Sequence, residues 1–439
     1  WDDYEPCRLP DGDIMFVTTR CKRWVSCWYT QIGTLHRCKP DGSGITCVSA
    51  NIEHDNTPAV LPDGRILYMR WEYIDRSQVE YHHLWTMNPD GTGVNVFYGN
   101  MHSWIVMIDA QPIPGTQEVL ASFSPGHGAN EHAGYATLVS QHQGPDNLEA
   151  AVRLKHKGLI RDPLPITQDL FIMAKDKALV LMTRDSKEQV IYTDPATPVH
   201  EPRILRPRPR EPIIPNRVRP EVPAGQFVLV DVYQGRNMEG VKRGDVKKLL
   251  IVEPLPKPVN FSGGMDLTSF SGSFNLERVL GTVPVEEDGS ASFMAPAGRP
   301  LFFVSLDAND MSVKRMQSFA NLMPGETFTC IGCHEERSGA ADARRTDNTL
   351  LALKRPPSVI QAFEGIPDVL DFQRDIQPIL DRNCVTCHNP QKRAGNLNLV
   401  AAQSPRFTNA YIALLTRNEV VDGRNGLGNQ PPRSIGSAA

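Results

Sequence analysis

A mainly β chain, a β-propeller-like body followed by a small, largely α-helical C-terminal domain, is the fold class this sequence predicts. Two observations carry the β body and a third carries the helical end. A Pro-Asp-Gly turn leading into an apolar strand recurs at about 50-residue intervals in the first hundred residues. Short β-branched and apolar runs between Gly, Pro and Asp turns continue well beyond it. Near the C-terminus, "FQRDIQPILDRN" instead puts Ile376, Ile379 and Leu380 on one helical face.

The repeat is explicit. "LPDGDIMFVTTR" (9–20) returns as "LPDGRILYMRWEY" (61–73), and "KPDGSG" (39–44) returns as "NPDGTG" (88–93). Each unit reads as a turn, an apolar strand, a polar stretch, a second strand such as "HHLWTM" and another turn. Gly supplies positive φ in those turns, and Asp bonds back to its own backbone. Fainter copies follow in "TQEVLASFS" (116–124) and "QDLFIMAKDKALVLMT" (168–183). A β-sandwich also has short strands between turns, but a period near 50 is that of a propeller blade. Residues 1–200 are assigned to blades.

Residues 201–220, with "RILRPRPREP", alternate Arg and Pro and read as a stiff extended linker. Residues 221–339 read as a β-rich continuation of the propeller or a middle domain. Its strands are "GQFVLVDVY" and "VKKLLIVEPL", followed by an antiparallel unit over 280–307 turning at Asp288-Gly289. A short helix is expected in 311–326. Residues 340–371 read as a second linker, and 372–439 as the helical domain, kept to short pieces by Pro378. The chain ends 51 residues after His388, which reads as a truncated domain, and its start, "WDDYEPC", is compatible with a removed leader.

With 439 residues, 40% hydrophobic and 22% charged, the composition is that of an ordinary globular protein. A net charge of -4, with no Lys/Arg cluster among aromatics, argues against nucleic acid as a partner. No segment has the apolar length of a transmembrane span.

Two copies of one motif carry the chemistry. "CIGCH" holds Cys330, Cys333 and His334, and "CVTCH" holds Cys384, Cys387 and His388. In c-type cytochromes two such thiols form thioethers to haem, and the next His is held under the iron. With 9 Cys and 12 His, about 0.005 chance matches are expected, so two point to one purpose. Zinc ribbons also use CxxC pairs, but closer together and without a His after each. Two covalent haems c, with His334 and His388 toward iron, are the reading; structural zinc is the alternative. Haem c places the protein in the periplasm or otherwise outside the cytoplasm, where the remaining cysteines meet oxidising conditions.

Those five cysteines, Cys7, Cys21, Cys27, Cys38 and Cys47, crowd into the first 47 residues. Disulfides stapling a blade edge would leave one over, as a thiol, a partner of a missing segment or a metal ligand. His54 precedes a blade's first strand, His82 and His83 point to opposite faces of a strand, and His127 and His132 lie on a Gly-rich loop. Each taken alone reads as a structural histidine, and their interest depends on being brought together.

"TTRCKRWVSCWYT", "EHDNTPAVLPDGRILYMRWEY", "FSPGHGANEHAG", "QGRNMEGVKRG", "LPKPVNFSGGM" and "CIGCHEER" together resemble proteins related to the hydrazine synthase alpha subunit, over about residues 15–390. "FQRDIQPILDRNCVTCH" is similar to the cytochrome c modules common in planctomycete proteins. The resemblance implies a propeller carrying one c-type haem and a C-terminal cytochrome c domain carrying another. It also implies a zinc ion on the first motif's histidine, for which Cys27 and His54 are the partners to His334 by chain order. Where the family has an iron-ligating Tyr, this chain has Ser338, a poor iron ligand. The function implied is a dihaem cytochrome transferring electrons with a redox partner protein or subunit. The alternatives are a haem-dependent oxidoreductase acting on a small nitrogen compound, and a propeller binding scaffold with zinc in its CxxCH sites.

Overall fold

The computed structural model describes the chain except residues 27, 75–80, 104, 127–131, 237, 259, 261–275, 333–348, 368, 404–406 and 417–439. Four successive units of four antiparallel strands follow one another from the N-terminus. The first comprises β1 (Asp3–Arg8), β2 (Ile14–Thr18), β3 (Thr34–Cys38) and β4 (Thr46–Cys47), hydrogen-bonded in chain order. The second comprises β5 (Asp55–Val60), β6 (Ile66–Trp71), β7 (Tyr81–Met87) and β8 (Asn95–Tyr98). The third comprises β9 (Ile105–Pro112), β10 (Val119–Ser124), β11 (Tyr135–Val139) and β12 (Ala151–Arg153). The fourth comprises β13 (Arg161–Pro165), β14 (Leu170–Lys175), β15 (Ala178–Thr183) and β16 (Glu188–Thr193). This chain-order meander, repeated, is the blade of a propeller.

The repeat is finer than its turns suggest. The first strand of every blade carries a bulge, and in each bulge one non-glycine residue takes positive φ: Glu5 (50°), Thr57 (53°), Asp109 (55°) and Asp162 (50°). A bulge re-aims side chains at a strand's rim, and here it does so at equivalent points of four blades. Asp109 and Asp162 there meet Glu201, their carboxylates lying within 4.8 Å of one another.

Residues 194–223 hold no strand or helix, yet they are pinned to the blades along their length. Arg206 donates to the Ile166 carbonyl, Arg210 to the Pro10 carbonyl, and the Arg217 amide to Asp90 at 2.7 Å. The segment is a strap across the turn ends of blades four, one and two. Gly64 shows how close it lies, since a Cβ there would sit 2.3 Å from the Pro212 carbonyl oxygen.

Beyond the strap come β17 (Ala224–Leu229), β18 (Lys248–Pro254), β19 (Glu277–Pro284), β20 (Ala291–Pro296), β21 (Phe302–Leu306), β22 (Ser312–Arg315) and β23 (Thr327–Cys330). They form two sheets, β20-β17-β23 and β19-β18-β21-β22. The Asp288-Gly289 turn forms, with Gly289 at φ 83°. It does not close a hairpin, because β19 pairs with β18 while β20 leaves to pair with β17. No helix forms in 311–326: β22 pairs with β21, and Ala320 bridges to Leu301. Residues 351–361 also lie on these sheets, through hydrogen bonds from the Leu351 and Ala352 amides to Asp288 and Ser290 and bridges from Ser358 to Phe293 and from Gln361 to Thr282.

Among the described residues, apart from short 3-10 turns such as the three-residue Leu148–Ala150 and Leu351–Leu353, helix appears only after residue 371. A π-helical turn, Phe372–Ile376, runs into α1 (Gln377–Asn383), and α2 (Asn409–Thr416) follows a loop. Pro378 stands in the first turn of α1, the one place where a missing N–H costs no bond.

Candidate functional site

Blade two and the segment entering β23 are bolted together by buried charge. Arg70 and Glu72 form a 2.8 Å ion pair with both side chains 1% exposed. Ser318 donates to Glu72 at 2.7 Å, and Arg70 donates to the Phe319 carbonyl at 2.8 Å. The guanidinium is held between two rings, 3.9 Å from the centroid of Trp85 and 3.5 Å from that of Phe319. Strong cation–π geometry and a full ion pair together offset the desolvation of both charges.

Behind this junction, where blades two and three face the two later sheets, lies a cavity of about 480 Å³. Its wall is aromatic, with Trp85, Phe227, Phe293, Phe303, Phe319 and Phe328, and it includes Cys330, the first cysteine of "CIGCH". Cys330 is placed there by β23, which pairs in parallel with β17 and sets Cys330 opposite Leu229. Phe227, Phe293 and Phe303 pack on one another with centroids 5.2–5.7 Å apart. A cavity of this size and lining matches the usual ligand or cofactor pocket. Cys333, His334 and Ser338 lie outside the described residues.

The second motif is described in full. Cys384 caps α1, and the Cys387 and His388 amides both donate to the Cys384 carbonyl, at 3.1 and 2.9 Å. The motif is thus one more helical turn, which brings both thiols and the imidazole to one end of α1. Cys384 and His388 are half-buried and Cys387 is exposed. His388 Nδ1 is buried without a hydrogen-bond partner. The expected apolar face is not buried: Ile379 is 48% exposed, whereas Gln377 is inside, donating to the Leu399 carbonyl at 2.9 Å. From residue 372 on, Leu399 and Ala410 are the only buried apolar side chains among the described residues. So thin a core cannot hold a domain by itself. One half-buried and one exposed thiol, an apolar flank and a missing core are what a covalently attached haem would complete, so the residues fit that group.

Three of the sequence-selected histidines do come together. Trp71, at the end of β6, is sandwiched between His54 (5.8 Å between centroids, planes 9° apart) and His82 (4.6 Å, 26°). His132 adjoins His82 at 6.3 Å, and burial holds it below the ordinary histidine range. His83 points away and meets Tyr81 edge-on, as strand alternation requires. His127 and Cys27 lie outside the described residues. His54 Nδ1 accepts a 3.0 Å hydrogen bond from the Gly33 amide, which puts the ring proton on Nε2. Metal ligation at His54 Nε2 would need that bond broken. Beside the stack, burial pushes the Glu53 carboxyl up to about 8, against two hydrogen bonds from Ser26.

Two of the first-blade cysteines, Cys7 and Cys38, do not staple the sheet to each other. Cys7 on β1 and Cys38 on β3 flank β2, two strand spacings apart, beyond disulfide reach. Cys21 and Cys47 instead meet at His36. Sequence reading missed that cluster, the Arg70–Glu72 pair and the acidic bulge residues. The bulges had a signal, since Glu5, Thr57 and Asp162 each precede a proline at repeat spacing.

Comparison with known proteins adds the following. Residues 244–335 match the family described as the hydrazine synthase alpha subunit middle domain, a span that ends one residue past His334. The curated hydrazine synthase subunit alpha of Kuenenia stuttgartiensis is 27% identical over 251 residues, 42% of this chain and 31% of that protein. The chain therefore spans about a third of the length of that relative. The solved structure of Kuenenia stuttgartiensis hydrazine synthase superposes with a TM-score of 0.75 at 19% identity, covering 96% of this chain and 70% of that one. The chain is thus similar to the hydrazine synthase alpha subunit in the segment around its first motif and in its β-propeller fold.

Proposed function

From that likeness, we propose that the chain is the haem-binding part of a dihaem c-type cytochrome that transfers electrons outside the cytoplasm. Cys330 and Cys333 would attach one haem, and Cys384 and Cys387 the other, whose iron His388 would hold. Bound haem supplies a one-electron couple. The protein's part is to fix each group in place and keep water from it. The observation that carries the reading is the position of Cys330 on the wall of the aromatic cavity. Thioether formation there would seat a large flat apolar group against Phe227, Phe293 and Phe328, and a dry, low-dielectric setting keeps reorganisation small. His388, with two thiols on the same helical turn, supports the second site. The partner would be a redox protein or a further subunit, since the curated relative is itself named as a subunit.

A second reading is a haem-dependent oxidoreductase acting on a small nitrogen compound. It draws on the match to the hydrazine synthase middle domain across the first motif. Nitric oxide or carbon monoxide binding to one haem would favour it; two six-coordinate low-spin haems would favour pure electron transfer.

The test is intact mass and pyridine-haemochrome analysis of the chain made in a host that matures c-type haem, with zinc quantified alongside. Two covalent haems per chain are expected. Zinc without covalent haem would overturn the proposal and leave both CxxCH motifs as metal clips.

A further inference from the structure

We propose a thiolate metal site in the first blade, made by residues that belong to neither CxxCH motif, in which Cys21, His36 and Cys47 bind a zinc-class divalent cation. His36 on β3 and Cys47 on β4 are directly opposed in the ladder, so their side chains share a face about 5 Å apart at Cβ. Cys21 reaches them from the loop that joins β2 to β3. The three donor atoms, two Sγ and one imidazole nitrogen, all lie within 4.8 Å of one another. Cys21 Sγ is 3.9 Å from His36 Nε2. On a tetrahedral zinc ion, sulfur and nitrogen ligands are about 3.6 Å apart, so contraction by a few tenths of an ångström would seat the ion.

The surroundings are arranged for ligation as well. His36 Nδ1 is 3.2 Å from the Thr34 carbonyl, which can only accept, so the ring proton sits on Nδ1. That leaves the Nε2 lone pair facing the two sulfurs. A second-shell carbonyl that fixes the tautomer in this way is the common support of a metal-binding histidine. His36 is 4% exposed, so its ring is held in this pose by packing. Thr34 Oγ1 lies 3.6 Å from Cys21 Sγ as a donor to it, a contact suited to a thiolate. The Cys47 thiol, which donates to the Ser49 carbonyl at 3.1 Å, would lose its proton to solvent on binding. Cys21 and Cys47 are both half-buried, so the site keeps a way in from the surface. Two sulfurs and one imidazole select zinc over calcium or magnesium. Three protein donors leave the fourth position to water or an incoming ligand.

The rival is a Cys21–Cys47 disulfide, and the experiment separates the two. The full chain, with haem attached, is compared with Cys47→Ser and His36→Gln variants by zinc content after equilibration with Zn2+ and desalting, and by zinc K-edge absorption. The site predicts one fewer zinc per chain in Cys47→Ser and at least tenfold weaker binding in His36→Gln. Haem content and the unfolding midpoint should stay within error in His36→Gln, which keeps both thiols. The lost zinc should show sulfur neighbours at about 2.3 Å. Unchanged zinc in both variants would overturn the proposal. So would a peptide map of the unreduced protein with Cys21 and Cys47 linked, because that bond would survive His36→Gln untouched.

Discussion

Arg70, on the strand β6, donates a 2.8 Å hydrogen bond to the carbonyl of Phe319, 249 residues further along the chain. Through it, blade two and the segment that leads to Cys330 share one buried ion pair. Glu72→Gln would leave the Arg70 charge inside without its partner, and such breaks cost about 3–5 kcal/mol. The expected result is a fall of that order in unfolding free energy by urea denaturation. Arg70→Met with Glu72→Met should recover part of it, since apolar replacements of a buried pair are often near neutral. A Glu72→Gln loss below about 1 kcal/mol would mean that the junction is held by its apolar packing instead.

The strap over the blade turns rests on Gly64. It has φ +88°, and a Cβ there would strike the Pro212 carbonyl oxygen at 2.3 Å. Gly64→Ala is expected to lift residues 201–220 from blade two while the blade sheets stay formed. Trypsin cleaves poorly before proline, so the exposed bonds are those after Arg203, Arg210 and Arg217, followed by Ile204, Glu211 and Val218. Cleavage at these three bonds should quicken severalfold over wild type, with unchanged far-UV circular dichroism. Equal rates would show that the strap's arginine contacts hold it without the close approach at Gly64.

What the sequence made legible follows from range. The Pro-Asp-Gly turns and the strands beside them are local, and blades one and two hold them where the repeat put them. The Asp288-Gly289 turn was equally local and equally correct, yet β19 and β20 go to different sheets. Strand pairing there is decided by β17 and β18, dozens of residues upstream, which no turn residue encodes. The absent helix in 311–326 has the same cause: sheet edges captured a segment whose own propensity was ambiguous. The motif cysteines were plain from their spacing. The cavity behind Cys330 and the His54–Trp71–His82 stack were not, because they assemble from loops and strands that are distant in sequence.

The bulge carboxylates make stability depend on pH. Burial, helped by Glu201 and Asp162, pushes Glu5 from 4.5 up to about 7, against a hydrogen bond from the Thr57 amide. Asp109 is raised well above its ordinary value, first by burial and then by Asp162 and Glu5. A carboxyl with a folded pKa above its unfolded one is protonated more in the native state. Its contribution is complete below the unfolded value and is lost as pH rises through the folded value. For Glu5 that window runs from about 4.5 to about 7. Unfolding free energy should therefore fall across it, and Glu5→Gln with Asp109→Asn should flatten the fall. A profile unchanged by the double variant would place the charge of this group elsewhere.

The two haem attachments proposed here should fail separately and with different structural consequences. Cys330 sits in β23, whose parallel pairing with β17 is made by backbone groups that an alanine leaves in place. Cys330→Ala with Cys333→Ala should lose one covalent haem and leave the later sheets folded, at the cost of an emptied aromatic cavity. Cys384→Ala with Cys387→Ala should lose the other haem and, with it, the order of residues 372–416. That segment buries only Leu399 and Ala410 among its described apolar side chains, too little to hold α1 and α2 alone. Intact mass and pyridine haemochrome count the haems, and limited proteolysis reads the order of the segment. One haem in each variant, with proteolysis near residue 390 in the second alone, is the expected pattern. Two haems retained in either variant would sink the attachment at that motif. Equal protease resistance in both would mean that the C-terminal helices are held by contacts other than haem.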